Sequence, residues 1–387
     1  MMLLKHADVF APAPAGRADI LIAGGRIDRV EPDIRISDDY CASVDASALV
    51  AVPGFIDGHV HMTGGGGEGG YATRTPELLL SDAIRGGITT VVGCLGTDGV
   101  TRSLANLLAK ARGLDEEGIS AFMYTGYYAV PIRTLTGSIE QDLLLIDKVI
   151  GVGEVALSDH RSTQPTFDEF ARLAAEARRG GILSGKAGVV NVHMGDGRRG
   201  LSLLRRMLEE TEIPPTQFLP THINRNPTLF EEGIAYAKAG GLVDFTTSTV
   251  PSVVDDGEVK CSKALRAMLE AGVDAAHITF TSDGQGSIPA FDAHGQFQRL
   301  DVGRVTSLFG EVRDAVFHEQ IPLETALQVV TANPARILKL RGKGQLAAGA
   351  DADIVLLEPK TLEIRGVIAK GRWLMRDGEP LVKGTFE

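Results

Sequence analysis

The most informative stretch of the sequence is Gly54–His61, which reads GFIDGHVH and continues the apolar run Leu49–Phe55. Side chains two residues apart on a β-strand point to the same face, so His59 and His61 can bind one metal ion together. An HxH pair by itself is more often two ordinary core or surface histidines. Its place behind an apolar run and before a glycine-rich loop favours a metal site at the carboxyl end of a strand.

Apolar and β-branched runs recur along the chain, with longer amphipathic segments between them. With Leu49–Phe55 as the first, they predict eight strands. The other seven are Thr89–Leu95, Ile119–Tyr127, Gly151–Ser158, Val189–His193, Phe218–His222, Leu242–Ser248 and Ile278–Ser282. Eight alternations of strand and helix are typical of the α/β class and of a (β/α)8 barrel, the TIM barrel. An open doubly wound sheet is the alternative, but candidate ligands at the carboxyl ends of the strands favour the barrel.

The segments between these strands carry apolar residues three to four positions apart with charges between them, which predicts helices. They are Pro76–Arg85, Ser103–Glu117, Ser138–Val149, Thr166–Arg179, Arg199–Glu210, Pro227–Lys238 and Lys260–Ala271. Pro76 and Pro227 fit the first turn of a helix, and a Ser or Thr precedes several of the other segments as an N-cap. Residues 318–340 are predicted to be a helical return to the chain end.

Both ends of the chain have a different pattern. Ala18–Ala23, a turn at Gly24–Gly25 and Arg26–Val30 predict a β-hairpin. Three more strand-like runs near the other end are Ala352–Leu357, Glu363–Ala369 and Lys370–Met375. We therefore expect residues 1–50 and 341–387 to form one small β-sandwich domain beside a barrel of residues 51–340.

Composition narrows the choice of partners and compartment. The 387 residues carry a net charge of −11, and an acidic surface repels nucleic acids and anionic membranes. No apolar stretch approaches the roughly 20 residues that span a bilayer, and the first 16 residues lack the apolar core of a signal peptide. Cys41, Cys94 and Cys261 are few and far apart, which argues against a disulfide framework. We expect a cytoplasmic protein without a nucleic-acid or membrane partner.

Three more candidate ligands lie at the ends of predicted strands. His193 ends the fifth run, His222 ends the sixth and Asp283 directly follows the eighth. Together with the HxH pair, four of the nine histidines of the chain lie at strand ends. Neutral imidazoles and carboxylates are the ligands that zinc prefers, so the sequence predicts a divalent metal site.

Longer motifs around these residues resemble the bacterial isoaspartyl dipeptidases of the amidohydrolase superfamily over nearly the whole chain. The HxH pair, the two later histidines and the aspartate match the metal ligands of the superfamily. The motifs that match the dipeptidases more closely are GGGGE at 64–68, TRTPE at 73–77, LGTD at 95–98, TGS at 136–138, SDHRS at 158–162, LPTHINRN at 219–226, SDG at 282–284 and KGTFE at 383–387.

One position departs from the family pattern. These dipeptidases carry a carboxylated lysine on strand 4 that bridges two metals, whereas this chain has Glu154, seven residues before Arg161. A glutamate supplies a carboxylate without modification by carbon dioxide, but its arm is shorter by three atoms. Glycines at 151 and 153 would let the backbone come closer to the metals, so we expect Glu154 to bridge. The alternatives are that Glu154 misses the metals and one ion binds, or that Lys148 or Lys186 takes its place.

The resemblance implies hydrolysis of the isopeptide bond of β-aspartyl dipeptides by a hydroxide held between two divalent ions, with zinc as the expected metal. The ligands would be His59, His61 and Asp283 for one ion and His193 and His222 for the other, with Glu154 shared by both. Asp283 would also carry a proton from the water to the leaving amine. Tyr128 would donate a hydrogen bond to the developing oxyanion.

The resemblance also implies how the substrate, a small zwitterion, is bound. Arg161 and Arg225 would hold the α-carboxylate of the β-aspartyl residue, because a planar guanidinium suits bidentate binding of a carboxylate. Glu68, in a glycine-rich loop that we expect to act as a lid, would pair with the α-ammonium. Further hydrogen bonds would come from Thr97 and Ser287.

Two rival functions stay open at this point. The same metal site would serve another small amide, such as a cyclic amide, an N-acyl amino acid or a lactone. The second rival is a non-catalytic relative used for binding or assembly, although such a protein should have lost metal ligands. The resemblance further implies a homo-oligomer, namely an octamer.

Overall fold

Strands and helices alternate along most of the chain. The computed structural model describes residues 1–37, 39–248, 257–291 and 297–387. The strands are β1 (Met2–Phe10), β2 (Pro14–Ala23), β3 (Arg26–Glu31), β4 (Ala42–Asp45), β5 (Val50–Pro53), β6 (Phe55–Val60), β7 (Ile88–Gly93), β8 (Ser120–Thr125), β9 (Val149–Leu157), β10 (Val189–Met194), β11 (Phe218–Thr221), β12 (Val243–Thr246), β13 (Ile278–Thr281), β14 (Ser287–Phe291), β15 (Phe297–Val302), β16 (Ile354–Leu357), β17 (Ile364–Ala369), β18 (Arg372–Arg376) and β19 (Glu379–Pro380).

The helices lie mainly between the middle strands. They are α1 (Leu80–Arg85), α2 (Leu104–Glu117), α3 (Ile139–Leu145), α4 (Phe167–Ser184), α5 (Ser202–Glu210), α6 (Pro227–Lys238), α7 (Cys261–Glu270), α8 (Ser307–Phe317), α9 (Leu323–Gln328) and α10 (Ala332–Ile337). Single 3-10 turns cover Tyr71–Thr73, Pro215–Gln217 and Ala275–His277. Within the described ranges, no helix is long and apolar enough to cross a membrane.

Eight parallel strands, β6 to β13, form the barrel in chain order. Strands β6 to β11 are hydrogen-bonded neighbours in one sheet, and β12 pairs with β13. Main-chain hydrogen bonds join the two parts: the amide of His61 donates to Gly284 O at 2.9 Å, and the amide of Ile223 donates to Asp244 O at 3.2 Å. The predicted (β/α)8 barrel is therefore confirmed, with a large apolar core between its strands and the surrounding helices.

Several helices begin as their sequences predict. Three have a Ser or Thr side chain as an N-cap that accepts a hydrogen bond from the first turn, namely Ser103, Ser138 and Thr166, and Asn226 caps α6 in the same way. Pro227 is the first residue of α6. The prediction for Pro76 was wrong, because α1 begins only at Leu80. The carbonyl oxygen of Pro76 instead accepts a hydrogen bond from the side chain of Gln285 at 3.1 Å.

Strands from both chain ends form one mixed sheet of nine strands in the order β19-β18-β17-β16-β5-β1-β2-β3, with β4 paired to β1. The predicted hairpin is β2–β3, and the three predicted strands near the other end correspond to β16, β17 and β18. Side chains from both ends share one apolar cluster that includes Leu4, Ile20, Ile354 and Ile368. The division into two domains at 50/51 and 340/341 stays a prediction.

The apolar run Leu49–Phe55 belongs to two strands, which corrects the prediction of a single one. Strand β5 pairs with β1 and β16 in the terminal sheet, and the barrel begins with β6. At Gly54, between them, a Cβ atom would lie 2.2 Å from Thr89 Oγ1. All residues of β5 and β6 are buried. An uninterrupted apolar run cannot show where the pairing partner changes.

The interior of the barrel is closed by apolar side chains. They form a cluster that includes Ile56, Tyr124, Ile150, Leu219 and Leu338. The Tyr124 hydroxyl donates to Gly58 O at 3.0 Å. The polar groups at the carboxyl ends of the strands therefore lie above a packed floor, as in other barrels of this class.

Candidate metal centre

The six predicted ligands meet at the carboxyl ends of the barrel strands. His59, Glu154 and His193 lie within β6, β9 and β10, and His61, His222 and Asp283 follow β6, β11 and β13. The four histidines and the glutamate are almost fully buried. The Asp283 side chain is 18% exposed, because it lies at the edge of a cavity.

Glu154 lies at the centre of this group. Its carboxylate contacts nitrogen atoms of all four histidines: Oε2 is 3.4 Å from His59 Nε2, 3.2 Å from His193 Nδ1 and 3.7 Å from His222 Nε2, and Oε1 is 3.4 Å from His61 Nε2. The structure thus brings Glu154 between the two pairs of histidines. Its role as a bridge stays a prediction that this placement supports.

A β-bulge brings Glu154 into this position. In the pairing of β9 with β10, Val152 faces Val190 and Val155 faces Val192, so Gly153 and Glu154 together oppose the single residue between. Bulges redirect side chains and often lie next to active sites. Gly153 has a φ of +152°, and a Cβ atom there would lie 2.8 Å from Asn191 O. Glycine therefore permits the close approach of the two strands.

Asp283 lies beside the HxH pair. Its Oδ1 atom is 3.0 Å from His61 Nε2 and 3.6 Å from His59 Nε2. Burial raises the pKa of Asp283, but the close contact with the His61 ring and the charge of that ring outweigh burial and lower this pKa to about 2. The carboxylate is therefore ionised at neutral pH and can act as a ligand or accept a proton.

Three buried polar atoms at the centre have no hydrogen-bond partner among the described residues: His59 Nε2, Glu154 Oε1 and Asp283 Oδ1. Buried polar atoms are normally paired, because an unpaired one loses its hydration without compensation. One group of candidate ligand atoms, all within 4.8 Å of one another, comes from His59, His61, Cys94 and Glu154. A second group comes from Glu154, His193 and His222. These donors fit a divalent metal site.

The charge states of the donors also suit a cation. Burial lowers the pKa of His222 to about 3, so its imidazole is neutral and offers a lone pair. Burial would raise the pKa of Glu154, but the charge of His59 and the close contacts with His193 and His222 hold this pKa well below its usual value. An anionic carboxylate among imidazoles is the donor set that zinc prefers.

Each histidine has a contact on the ring nitrogen that does not face Glu154. The contacts are Asn191 Oδ1 at 3.1 Å from His59 Nδ1, Cys94 Sγ at 3.8 Å from His61 Nδ1, Asp159 Oδ2 at 3.0 Å from His193 Nε2, and Thr246 Oγ1 at 2.5 Å from His222 Nδ1. Partners of this kind fix the orientation and the tautomer of metal-binding histidines.

None of these four partners is predicted from the sequence. Cys94 lies near the end of the second predicted strand and Asp159 follows the fourth, so the strand-end criterion that selected the histidines would also have found them. Asn191 and Thr246 lie within β10 and β12. Nothing in the sequence distinguishes these two from ordinary polar strand residues.

A cavity of about 450 Å³ lies next to the candidate metal ligands. This volume is in the range of small-molecule sites. All five residues that the resemblance assigns to the substrate are in its wall: Glu68, Thr97, Arg161, Arg225 and Ser287. The structure therefore brings the predicted substrate residues and the predicted metal ligands together.

Glu68 is the centre of a second set of contacts. Its carboxylate accepts hydrogen bonds from Thr97 Oγ1 and Ser287 Oγ, each at 3.1 Å, and from Arg161 Nη1 at 3.3 Å. Arg225 pairs with Asp196, at 3.6 Å. The carboxylate of Glu68 and the guanidinium of Arg161 thus lie side by side in the cavity wall. Two opposite charges in this arrangement are complementary to a zwitterionic ligand.

The glycine-rich loop that carries Glu68 is fixed by buried groups. The amide of Gly65 donates to Thr75 Oγ1 at 2.6 Å. The guanidinium of Arg102 donates to Gly65 O at 3.0 Å and Thr75 O at 2.9 Å, and also to Thr63 O. The base of the loop is therefore anchored, and its action as a lid stays a prediction.

Tyr128 lies between the metal-binding residues and the cavity arginine. Its hydroxyl is 2.8 Å from His193 Nδ1, and its ring centre is 5.3 Å from the guanidinium carbon of Arg161. Burial, with a further contribution from the charge of Glu154, raises the pKa of Tyr128 well above its usual value. The hydroxyl therefore keeps its proton and can act as a hydrogen-bond donor.

Comparison with known proteins agrees with this arrangement. Models of the amidohydrolase family match residues 50–197 and 232–372. The β-aspartyl dipeptidase of the thermophilic, keratin-degrading Fervidobacterium islandicum AW-1, solved in complex with β-Asp-Leu, superposes with a TM-score of 0.91. It is 47% identical, and the match covers 98% of each chain.

More distant proteins share the same architecture. A dihydroorotase of Elusimicrobium minutum is 26% identical over 92% of this chain and 88% of its own length. The dihydropyrimidinase of Brevibacillus agri NCHU1002 has a TM-score of 0.69 at 16% identity, over 99% of this chain and 96% of its own. At 16% identity, the similarity to the dihydropyrimidinase shows a shared fold alone. From the near-complete match at 47% identity, the chain belongs to the β-aspartyl dipeptidase family of the amidohydrolase superfamily.

Proposed function

We propose that this protein hydrolyses the isopeptide bond of β-aspartyl dipeptides at a divalent metal centre. The observation that carries the proposal is the ion pair of Glu68 and Arg161, 3.3 Å apart, in the wall of the cavity that adjoins the metal-binding residues. A β-aspartyl dipeptide carries an α-ammonium and an α-carboxylate close to its scissile amide. The similar Fervidobacterium structure contains such a dipeptide, β-Asp-Leu.

Two divalent ions, expected to be zinc, would be bound around Glu154. The first would have His59, His61 and Asp283 as its ligands, and the second His193 and His222. Imidazole nitrogens and carboxylate oxygens suit zinc. When bound, such ions polarise a carbonyl group and lower the pKa of water toward about 7.

Proton transfer is assigned to Asp283. Its carboxylate is ionised, contacts the HxH pair and lines the cavity. It can accept the proton of the attacking water and pass it to the leaving nitrogen. Tyr128, which keeps its phenolic proton, would donate a hydrogen bond to the oxyanion that forms from the scissile carbonyl.

Binding of the zwitterion is assigned to the charged residues of the cavity. Arg161 and Arg225 would hold the α-carboxylate, and Glu68 would hold the α-ammonium. The substrate would replace the contact between Glu68 and Arg161 by two contacts of its own. Thr97 and Ser287, which donate to Glu68, would add hydrogen bonds that keep the site in place.

A cyclic amide is the second candidate substrate. Curated relatives of the chain include dihydroorotases and allantoinases at 24–26% identity over most of the chain. The metal-binding residues would serve such a ring equally well. The ion pair in the cavity wall favours the dipeptide, because these cyclic amides have no ammonium group for Glu68 to bind.

The test measures hydrolysis of β-Asp-Leu and of α-Asp-Leu by one preparation whose metal content is also determined. Cleavage of the β-linkage alone, with about two metals per chain, is expected. Metal without cleavage of the β-linkage would redirect the search to cyclic amides, N-acyl amino acids and lactones. Protein without stoichiometric metal would point to a non-catalytic relative.

Assembly and location are further proposals. We infer a homo-oligomer, an octamer as the family resemblance implies, and large apolar side chains such as Leu145 and Leu183 are 71% and 63% exposed in the single chain. A cytoplasmic location is supported by three free, buried cysteines. Light scattering would count the subunits, and fractionation of cells would test the location.

We propose that the terminal sheet is a domain of its own, made of the predicted residues 1–50 and 341–387 together with the rest of β5, which pairs with β16. Its separate apolar cluster supports this division. Limited proteolysis with fragment identification would test the boundaries.

A further inference from the structure

Asp159 contacts two different parts of the site at once. Its side chain is 3% exposed, and its Oδ2 atom lies 3.0 Å from His193 Nε2 and 2.8 Å from Arg161 Nη2. Its Oδ1 atom accepts hydrogen bonds from the Arg161 amide at 2.7 Å and from Arg161 Nε at 3.0 Å. One buried carboxylate therefore connects a metal-binding histidine with an arginine of the cavity.

At His193, this contact decides which ring nitrogen is available to a metal. A carboxylate accepts a proton from Nε2 of the ring and leaves Nδ1 with its lone pair. Nδ1 is the atom that lies 3.2 Å from Glu154 Oε2. The other three histidines have an amide oxygen, a sulfur or a hydroxyl in the equivalent position. Among the four, the carboxylate partner belongs to His193 alone in the described part of the chain.

At Arg161, the same carboxylate sets the direction of the guanidinium. The Nε and Nη2 atoms both donate to Asp159, and Nη1 extends to Glu68 at 3.3 Å. The guanidinium also lies over the Tyr128 ring. A guanidinium that is held by two carboxylates is already oriented before a ligand binds. The side chain therefore loses little conformational freedom on binding.

The backbone leaves room for this carboxylate. A Cβ atom at Gly195, in the loop after β10, would lie 2.5 Å from Asp159 Cβ and 2.6 Å from Asp159 Oδ2. The loop can therefore pass over Asp159 only with glycine at position 195. A larger residue there would move the carboxylate away from His193 or Arg161.

We propose that Asp159 is a positioning residue that couples the metal position at His193 and His222 to the substrate arginine, Arg161. The identity of the substrate rests on the proposed function, but the effect on the metal does not. A change at Asp159 weakens metal binding and substrate binding together. A change at Arg161 weakens substrate binding more than metal binding, because Asp159 stays beside His193, although Arg161 Nη2 also lies 3.3 Å from His193 Nε2.

The test compares Asp159→Asn with Arg161→Met and with a matched control, Asp196→Asn. Asp196 pairs with the other cavity arginine, Arg225, at 3.6 Å, and no contact with a histidine is seen for it in the described structure. Zinc affinity is measured by equilibrium dialysis against a competing chelator. The KM and kcat for β-Asp-Leu are measured at saturating zinc, and thermal unfolding of the zinc-free proteins checks that each variant folds.

Asp159→Asn is expected to weaken binding of one zinc ion by about 10–100-fold and to raise KM even when zinc is saturating. Arg161→Met should raise KM with a smaller loss of zinc affinity than Asp159→Asn shows, and Asp196→Asn should leave zinc affinity unchanged. Wild-type zinc affinity in Asp159→Asn would overturn the proposal, as would an unchanged KM. Equal zinc loss in Arg161→Met would show that any change in the cavity disturbs the metal.

A second variant and the zinc measurement separate failure of folding and failure of the proposed function from failure of the coupling. If Asp159→Asn does not fold, Gly195→Ala displaces the carboxylate without removing its charge and should give the same two losses. If no form of the protein cleaves β-Asp-Leu, the proposed function has failed. The dialysis then decides the coupling proposal through the zinc affinities of the same three variants.

Discussion

Glu154 Oε2 lies 3.2 Å from His193 Nδ1, across the pairing of β9 with β10. The bulge at residues 153–154 lies at this contact, where two residues of β9 oppose a single residue of β10. The carboxylate of Glu154 lies between the two pairs of histidines, and its role in place of a longer, modified lysine stays a prediction. The metal-binding group is thus completed by backbone geometry as much as by the choice of residue.

Replacing Glu154 with Ala should reduce the metal content to at most one ion per chain. The four histidines would then face one another without the central anion, and turnover of β-Asp-Leu should fall by at least about 10²-fold. Metal analysis and kcat on the same preparation measure both effects. Glu154→Gln, which keeps the shape, separates loss of charge from loss of packing. Two metals and full activity in the alanine variant would remove Glu154 from the site.

Arg225→Met should lower kcat/KM for β-Asp-Leu while the fold and metal content stay unchanged. A hydrogen bond to a charged group contributes about 1.5–3 kcal/mol, so the loss should be about 10–150-fold. Arg266→Met is the matched control, because Arg266 pairs with Glu270 on the exposed surface of α7. Unchanged kinetics in Arg225→Met would refute its role in holding the α-carboxylate.

Glu68→Gln should weaken recognition of the α-ammonium specifically. The glutamine can still accept hydrogen bonds from Thr97 and Ser287 but carries no charge. The wild type should prefer β-Asp-Leu over its N-acetylated form, and this preference should shrink by about 10-fold or more in the variant. The ratio of kcat/KM values for the two substrates measures it. An unchanged ratio would place the ammonium elsewhere.

Asp244 should make the stability of the metal-free protein depend on pH. The carboxylate accepts hydrogen bonds from Thr221, Thr279 and Thr281, each at 2.6 Å. Burial nevertheless raises its pKa from 3.8 to about 6. The folded state therefore holds this proton more tightly than the unfolded state, and the contribution present below pH 4 is lost as pH rises toward 6.

The expected loss from Asp244 is about 3 kcal/mol between pH 4 and pH 7. Urea unfolding at a series of pH values measures it, with Asp244→Asn as the comparison, since an amide does not titrate. The stability of the wild type relative to this variant should decrease across that range and then level off. A parallel pH dependence of the two proteins would show that Asp244 does not titrate there.

The barrel and the six candidate metal ligands at the carboxyl ends of its strands could be predicted from the sequence, because both depend on short-range patterns. Apolar runs mark the strands, and His59, His193 and His222 stand where such runs end. Glycines 151 and 153 predicted that the backbone at Glu154 comes closer to the metals, but they did not predict a bulge. Its register depends on how β9 meets β10, and the sequence of one strand does not contain that relationship.

Contacts between residues distant in the sequence explain the other differences. The run Leu49–Phe55 divides because β5 finds its partners at the two chain ends. The carbonyl group of Pro76, outside any helix, accepts a hydrogen bond from Gln285, more than 200 residues away, and the sequence around Pro76 does not reveal that contact. Asn191 and Thr246 have their roles only because strands β6 and β11 bring histidines beside them.

The position of β5 has a consequence for synthesis of the chain. β5 pairs with β1 on one side and with β16 on the other, and β16 begins 301 residues after the end of β5 (354 − 53). At about 5–20 residues per second, the ribosome delivers that partner roughly 15–60 s later. Until then, one edge of β5, the strand directly before β6 and its HxH pair, has no partner strand. Nascent chains that stop shortly before residue 354 should consequently be targets for chaperones and proteases, although every metal ligand has already been translated.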